Sequence, residues 1–269
     1  MPKFIFSFVL MLVMPAYALA WGGDGHQIVG LIAEDRLTPQ AQAAIHGLLE
    51  HGANISDADV ANWADEVRRD RTETGPWHYV NIPTSQPSFD PARDGKDGAN
   101  VIDRINAFEQ ILSDKNSPRD DRVEALKFLV HFVGDIHQPL HCADRNGDRG
   151  GNARLVFFLD EPMATNLHHC WDTSILLHQK GTMRVLDYAH ALEAKMTPAQ
   201  IAQWSKGTPE DWANESHRIA IESVYKDVPA DGDPPKLDEA YIQRSAAIID
   251  QQLEKAGVRL AMILNRTLK

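Results

Sequence analysis

The chain is short of positive charge: 27 lysines and arginines face 38 aspartates and glutamates, a formal net charge of −11. That deficit excludes attraction of nucleic acid by a broad basic surface, so any phosphate chemistry must draw positive charge from another source. Only two cysteines occur, Cys142 and Cys170, which excludes a disulfide-dense scaffold. In an exported chain the simplest state is one disulfide between them, and two unrelated buried thiols are the alternative. Beyond residue 20 no uninterrupted apolar run approaches the length of a membrane-spanning helix. Strand signals are scarce, confined to Trp77–Ile82 and Arg154–Leu159, and no internal repeat is present.

The first twenty residues have the form of an export signal. Lys3 supplies the basic start, Phe4–Met14 is apolar apart from Ser7, Pro15 ends the run, and Ala18-x-Ala20 fits a peptidase site before Trp21. The expectation is a secreted or periplasmic protein with a single domain over residues 21–269 and a formal charge of −12 from 26 basic and 38 acidic side chains. Helix starts repeat one device: Thr38-Pro39, Ser117-Pro118, Thr197-Pro198 and Thr208-Pro209 each set a capping hydroxyl before a proline. Ser56 with Asp59 resembles an acidic capping box. Spacing predicts helices near 25–36, 39–50, 57–70, 99–113, 119–137, 166–178, 181–193, 198–205, 209–226 and 238–266. The predicted class is mainly α, with a few short strands. Gly-, Pro- and Asp-rich loops fall at 83–98, 143–152 and 227–236.

Residues able to ligate a metal gather in a few segments. In HFVGDIHQPLH, His131 and Asp135 are four apart and so lie on one helical face, and His141 follows Pro139 where the chain turns. NLHHCWD repeats the device with His168 and Asp172, while Asp65 lies in NWADEVR and His78 in WHYVN. Imidazole and carboxylate are the donors zinc accepts. A single His-x-x-x-Asp pair is more often a surface hydrogen bond or ion pair than a ligand set. The recurrence, with His26 added, raises a polynuclear site beside that reading.

The ordered series WGGDGH, WADEVR, WHYVN, HFVGDIHQPLH, GDRGGN, NLHHCWD and WANESH resembles the nuclease S1/nuclease P1 family, secreted zinc enzymes that cut single-stranded nucleic acids. The resemblance implies a helical fold related to zinc phospholipase C. It also implies three zinc ions on Trp21, His26, Asp65, His78, His131, Asp135, His141, His168 and Asp172. In the family the mature N-terminal tryptophan binds zinc through its α-amine and carbonyl oxygen, so the expected cut before Trp21 creates a ligand. Asp135 would bridge two ions. Asp65 and Asp135, with Arg68 as the transition-state arginine, form the implied catalytic set.

By the same resemblance Tyr79 would stack a base, Asn81 would bond a base edge, where the family more often has an acid, and Asn152 would line the pocket. The implied reaction is hydrolysis of single-stranded DNA and RNA to 5′-phosphorylated products, with 3′-nucleotidase activity on nucleotides, by a monomer with no membrane partner. Two other readings stand beside it, a zinc phospholipase C and a secreted zinc-binding protein without turnover. Asp172 and the short spacing from Trp21 to His26 favour the nuclease over the phospholipase. If His141 and His168 share an ion, Cys142 and Cys170 come near each other, so the disulfide would brace that site.

Overall fold

In the computed structural model the described residues are 21–269. The expected export segment, residues 1–20, lies outside them. The helices are α1 (Gly23–Glu34), α2 (Pro39–Leu48), α3 (Ala58–Ala61), α4 (Trp63–Val67), α5 (Pro91–Asp94), α6 (Val101–Ser113) and α7 (Arg119–Asp135). They continue with α8 (Leu167–His169), α9 (Ile175–Lys180), α10 (Val185–Glu193), α11 (Pro198–Trp204), α12 (Pro209–Ile219) and α13 (Glu239–Thr267). Among the described residues no helix is long and apolar enough to cross a membrane.

Every residue from Phe128 to Asp135 is buried. A helix covered on all sides must occupy the centre, and α6, α1 and α13 pack around α7. Phe128 stacks on Phe108 and Phe132 at centroid distances of 4.7 and 5.0 Å, with Trp63 and Trp77 edge-on. Burying one such ring stabilises by roughly 1.5–3 kcal/mol, before about 0.5–1.5 kcal/mol from each ring contact. This packing fixes the axis from which His131 and Asp135 project.

Three of the four hydroxyl–proline starts form as expected: Thr38, Thr197 and Thr208 each accept a backbone N–H of the first turn. Ser117 does not cap. Pro118 itself is the N-cap of α7, with extended backbone (φ −49°, ψ 143°) that places the first helical residue one position later, at Arg119. Nor does Ser56 form a capping box, since its N–H and hydroxyl both donate to Glu34, at 2.9 and 3.1 Å. The helix expected over 57–70 is two short pieces, broken at Asn62 (φ −101°, ψ 0°).

The strand expected over 77–82 is absent. Thr72–His78 is a 3-10 helix containing Pro76, and the extended chain after it borders 141–144. Val80 N–H donates to His141 O (2.8 Å) and Asp144 N–H to Ile82 O (2.8 Å), too few bonds to make a ladder. The sheet is small. β1 (Leu155–Phe158) pairs antiparallel with β2 (Thr165–Asn166), Leu155 opposite Asn166, and parallel with β3 (Lys236–Leu237), Phe157 opposite Lys236. Leu167 N–H then donates to Arg154 O (2.8 Å), so the sheet sets where α8 begins.

The expected disulfide is not formed. Cys142 and Cys170 are both buried free thiols: Cys142 Sγ donates to Ile136 O (3.5 Å), and Cys170 engages Ser174. Their main chains come from two different turns, and proximity of the neighbouring histidines does not aim the sulfurs at each other. Burial raises both thiols, Cys170 to about 12, so neither is a ready nucleophile.

Candidate metal centre

His131 and Asp135, one turn apart on α7, face two other segments. His131 Nε2 lies 3.7 Å from Asp65 Oδ2 on α4 and 3.5 Å from Asp135 Oδ2. His78 Nδ1 lies 2.9 Å from Asp135 Oδ2 and 3.9 Å from Asp65 Oδ1. On the other side, His26 Nε2 from α1 is 3.5 Å from Asp135 Oδ1, and its ring stacks on His131 at 3.7 Å. The two oxygens of one buried carboxylate are thus divided between two groups of imidazoles. His141, His168 and Asp172 make a third buried group, with His168 Nε2 3.1 Å from Asp172 Oδ2 and His141 Nε2 3.9 Å from Oδ1. It adjoins the others, since His141 Nδ1 is 3.9 Å from Asp135 Oδ1.

Backbone carbonyls set the ring orientations. Nδ1–H of His131 donates to Ala61 O (2.8 Å), that of His141 to His78 O (2.8 Å) and that of His168 to Gly150 O (2.7 Å). Each bond assigns the tautomer and leaves Nε2 with a free lone pair. Those Nε2 atoms, with His26 Nε2 and Asp135 Oδ1, are buried and make no hydrogen bond. So many unmatched polar atoms converging in one place are costly for a fold that has no further use for them. The donor set suits zinc, which takes imidazole nitrogen and carboxylate oxygen.

Burial disfavours the charged form of four of these imidazoles. It is the largest cause of the lowered pKa values of His26, His78, His131 and His141, with neighbouring histidines adding to it for His26, His78 and His141. Burial also pulls His168 down, but the negative charge of Asp172 beside it reverses the direction and raises it. Asp135 and Asp172 are raised, chiefly by burial. A cation between these carboxylates and neutral rings removes the penalty that raises them.

Trp21 is fully buried, and its indole Nε1–H donates to Gly134 O (2.8 Å). Gly134 carries no side chain for a spatial reason, because a Cβ there would meet His26 Nδ1 at 2.7 Å. Gly22 N–H donates to Asp172 O (2.8 Å). The start of the described chain is therefore seated among His26, Gly134 and Asp172.

Arg68 pairs with Asp65 at 3.3 Å on the rim of the cluster. Tyr79 and Asn81 are exposed while Val80 and Ile82 between and after them are buried, so the two point the same way as expected, from extended chain rather than from a strand. Asn152 turns into its own loop, where Nδ2 donates to Arg149 O (2.9 Å). Gly150 in that loop holds φ +62°, and a Cβ would lie 2.3 Å from Leu140 O. His168 and Asp172 do not share a regular α-turn: α8 passes into a π-helical turn, Cys170–Ser174, that carries Asp172.

Sequence reasoning missed Gln138, which is fully buried and whose Nε2 donates to Asp172 Oδ1. A polar residue directly before a turn-starting proline was the available signal. His137 is not part of the cluster, since it bonds Val133 O and Arg259.

The S1/P1 nuclease family model matches residues 21–269. Among curated relatives, Endonuclease 2 of Arabidopsis thaliana is 32% identical over 96% of this chain and 96% of its own length. Nuclease P1 of Penicillium citrinum is 30% identical over 91% and 97%, and Nuclease S1 of Aspergillus oryzae 28% identical over 98% of each. With the match running through every segment that builds the centre, the chain belongs to the S1/P1 nuclease family.

Proposed function

We propose that this chain is an exported, zinc-dependent endonuclease that hydrolyses single-stranded DNA and RNA to 5′-phosphorylated products and removes 3′-phosphates from nucleotides. One observation carries the reading: Asp135 divides its oxygens between two sets of buried imidazoles, with a third set alongside. Asp65, His78, His131 and Asp135 would hold one zinc, and Trp21, His26 and Asp135 a second. His141, His168 and Asp172 would hold the third. Zinc held there supplies Lewis acidity and lowers the pKa of water toward neutrality.

The side chains around the centre supply the rest. Arg68, on the rim beside Asp65, offers planar guanidinium donors to a phosphate oxygen as negative charge grows on it. Tyr79, exposed at 38%, gives a base a ring to stack on, a contact worth roughly 1–3 kcal/mol for any sequence. Asn81 presents both a donor and an acceptor to that base. Asn152 contributes by holding the loop whose Gly150 carbonyl orients His168. A duplex is a poorer substrate because its base must unpair before base and phosphate reach the buried cluster together.

The test is the chain end. Removal of residues 1–20 frees the amine of Trp21, which loses its proton to a metal far more readily than a peptide nitrogen does. Protein beginning at Trp21 is expected to bind three zinc ions, one for each buried cluster, and to cleave single-stranded DNA. Protein keeping one extra residue before Trp21 is expected to lose an ion and roughly 100-fold or more of the cleavage rate. Equal zinc content and equal rates in the two forms would overturn the assignment.

A further inference from the structure

We infer that Gln138 is the positioning residue of the His141–His168–Asp172 group: one side-chain amide fixes both the turn that presents His141 and the carboxylate of Asp172. The inference rests on the reading that this group holds a zinc ion. Gln138 precedes the 3-10 turn Pro139–Cys142, and its Oε1 accepts Leu140 N–H at 2.5 Å. Pro139 has no N–H, so Leu140 supplies the first donor of the turn. A backbone N–H can only donate. The amide oxygen is thereby assigned, and Nε2 is left to donate to Asp172 Oδ1.

Two of the three members of the group are tied to this one amide. His141 is the third residue of the capped turn, and Asp172 is the acceptor. The third member, His168, is held independently by Gly150 O. Asp172 needs such a restraint more than a ligand on a regular helix does. Its π-helical turn has a wider register than an α-turn, so the four-residue spacing from His168 does not by itself aim the carboxylate. The backbone of Asp172 is pinned separately, through Gly22 N–H to its carbonyl. Gln138 alone among these contacts bonds the carboxylate oxygen that faces His141.

Positioning is separable from simple capping. Gln138→Glu keeps the length and an oxygen for Leu140 N–H, but it loses the donor and sets a second carboxylate against Asp172. Gln138→Met loses the cap as well. Zinc per chain would be measured at a series of buffered free-zinc concentrations, with the Tm of the metal-free chains alongside. Gln138→Glu is expected to bind the third zinc roughly 10- to 100-fold more weakly and to retain the other two, with a lower Tm without metal because two buried carboxylates then face each other. Gln138→Met is expected to show the same zinc loss together with a lower Tm.

Third-ion affinity in Gln138→Glu equal to or stronger than wild type would show that Gln138 only caps the turn, and would overturn the proposal. A wild-type chain that binds just two ions would instead remove the reading of the group itself, and the role of Gln138 with it.

Discussion

Asp135 is the residue on which the most geometry depends, because its Oδ1 faces His26 and its Oδ2 faces His78 and His131. Asp135→Asn exchanges one oxygen for an N–H₂ that cannot ligate and removes the negative charge from both groups. The variant is expected to lose two zinc ions and roughly 10³-fold or more in cleavage rate. His169→Ala, at an exposed ring one residue from His168, is expected to stay within about twofold, as surface changes usually do. Metal analysis and a single-strand cleavage assay on both variants check this, and equal losses would mean the wrong residues have been chosen.

Residues of this kind were legible in the sequence because zinc accepts few donor types and their spacing is regular. What orients them was not legible: the carbonyls of Ala61, His78 and Gly150 belong to main chain 18 to 70 positions away, and backbone carbonyls leave no mark on composition. The expected Cys142–Cys170 bridge failed for a related reason. Residue spacing reports which turns meet, and says nothing of where a sulfur points.

At the scale of elements, α12 and α13 are joined by one charge cluster. Glu215 on α12 accepts from Lys255 Nζ (2.5 Å) and lies 2.8 Å from Arg259 Nη2 on α13. Arg259 also bonds His137 Nε2 (2.8 Å), just beyond α7. Burial alone would raise Glu215, but the two cations outweigh it and bring its pKa to about 2. A carboxylate lowered in this way stabilises the fold above its unfolded pKa of 4.5, and that stability is lost as pH falls toward about 2. Glu215→Gln leaves two cations facing each other and is expected to cost roughly 3 kcal/mol at pH 7. Tm measured from pH 7 to pH 3 should show the gap between wild type and variant narrowing below about pH 4.5. A gap independent of pH would mean that packing, not charge, makes the link.

Most elements could be read in advance where the hydroxyl–proline device marks a start, as at Thr197 and Thr208. The failures cluster around the centre. The break at Asn62, the 3-10 turn ending at His78 and the π-turn carrying Asp172 are all departures from regular periodicity that bring a residue of the buried cluster into place. Periodicity can only predict the regular alternative.

For the whole molecule the decisive quantity is charge. Residues 21–269 carry 26 basic and 38 acidic side chains, so their net charge repels a polyanion. Three divalent ions would concentrate six positive charges in one recess of a chain whose residues 21–269 carry a formal −12 in all. Attraction so localised engages few phosphates. Each phosphate neutralised on a single strand contributes about −0.7 to the slope of log affinity against log salt. One to three contacted phosphates therefore predict a slope of roughly −1 to −2, a fall in kcat/KM of about 4- to 16-fold between 50 and 200 mM KCl at saturating zinc. A protein that tracks the backbone with many lysines falls by about 10³ or more over the same range. Measuring kcat/KM on a single-stranded oligonucleotide across that range separates the two. A slope near −5 would mean that a basic track, and not the metal recess, captures the strand.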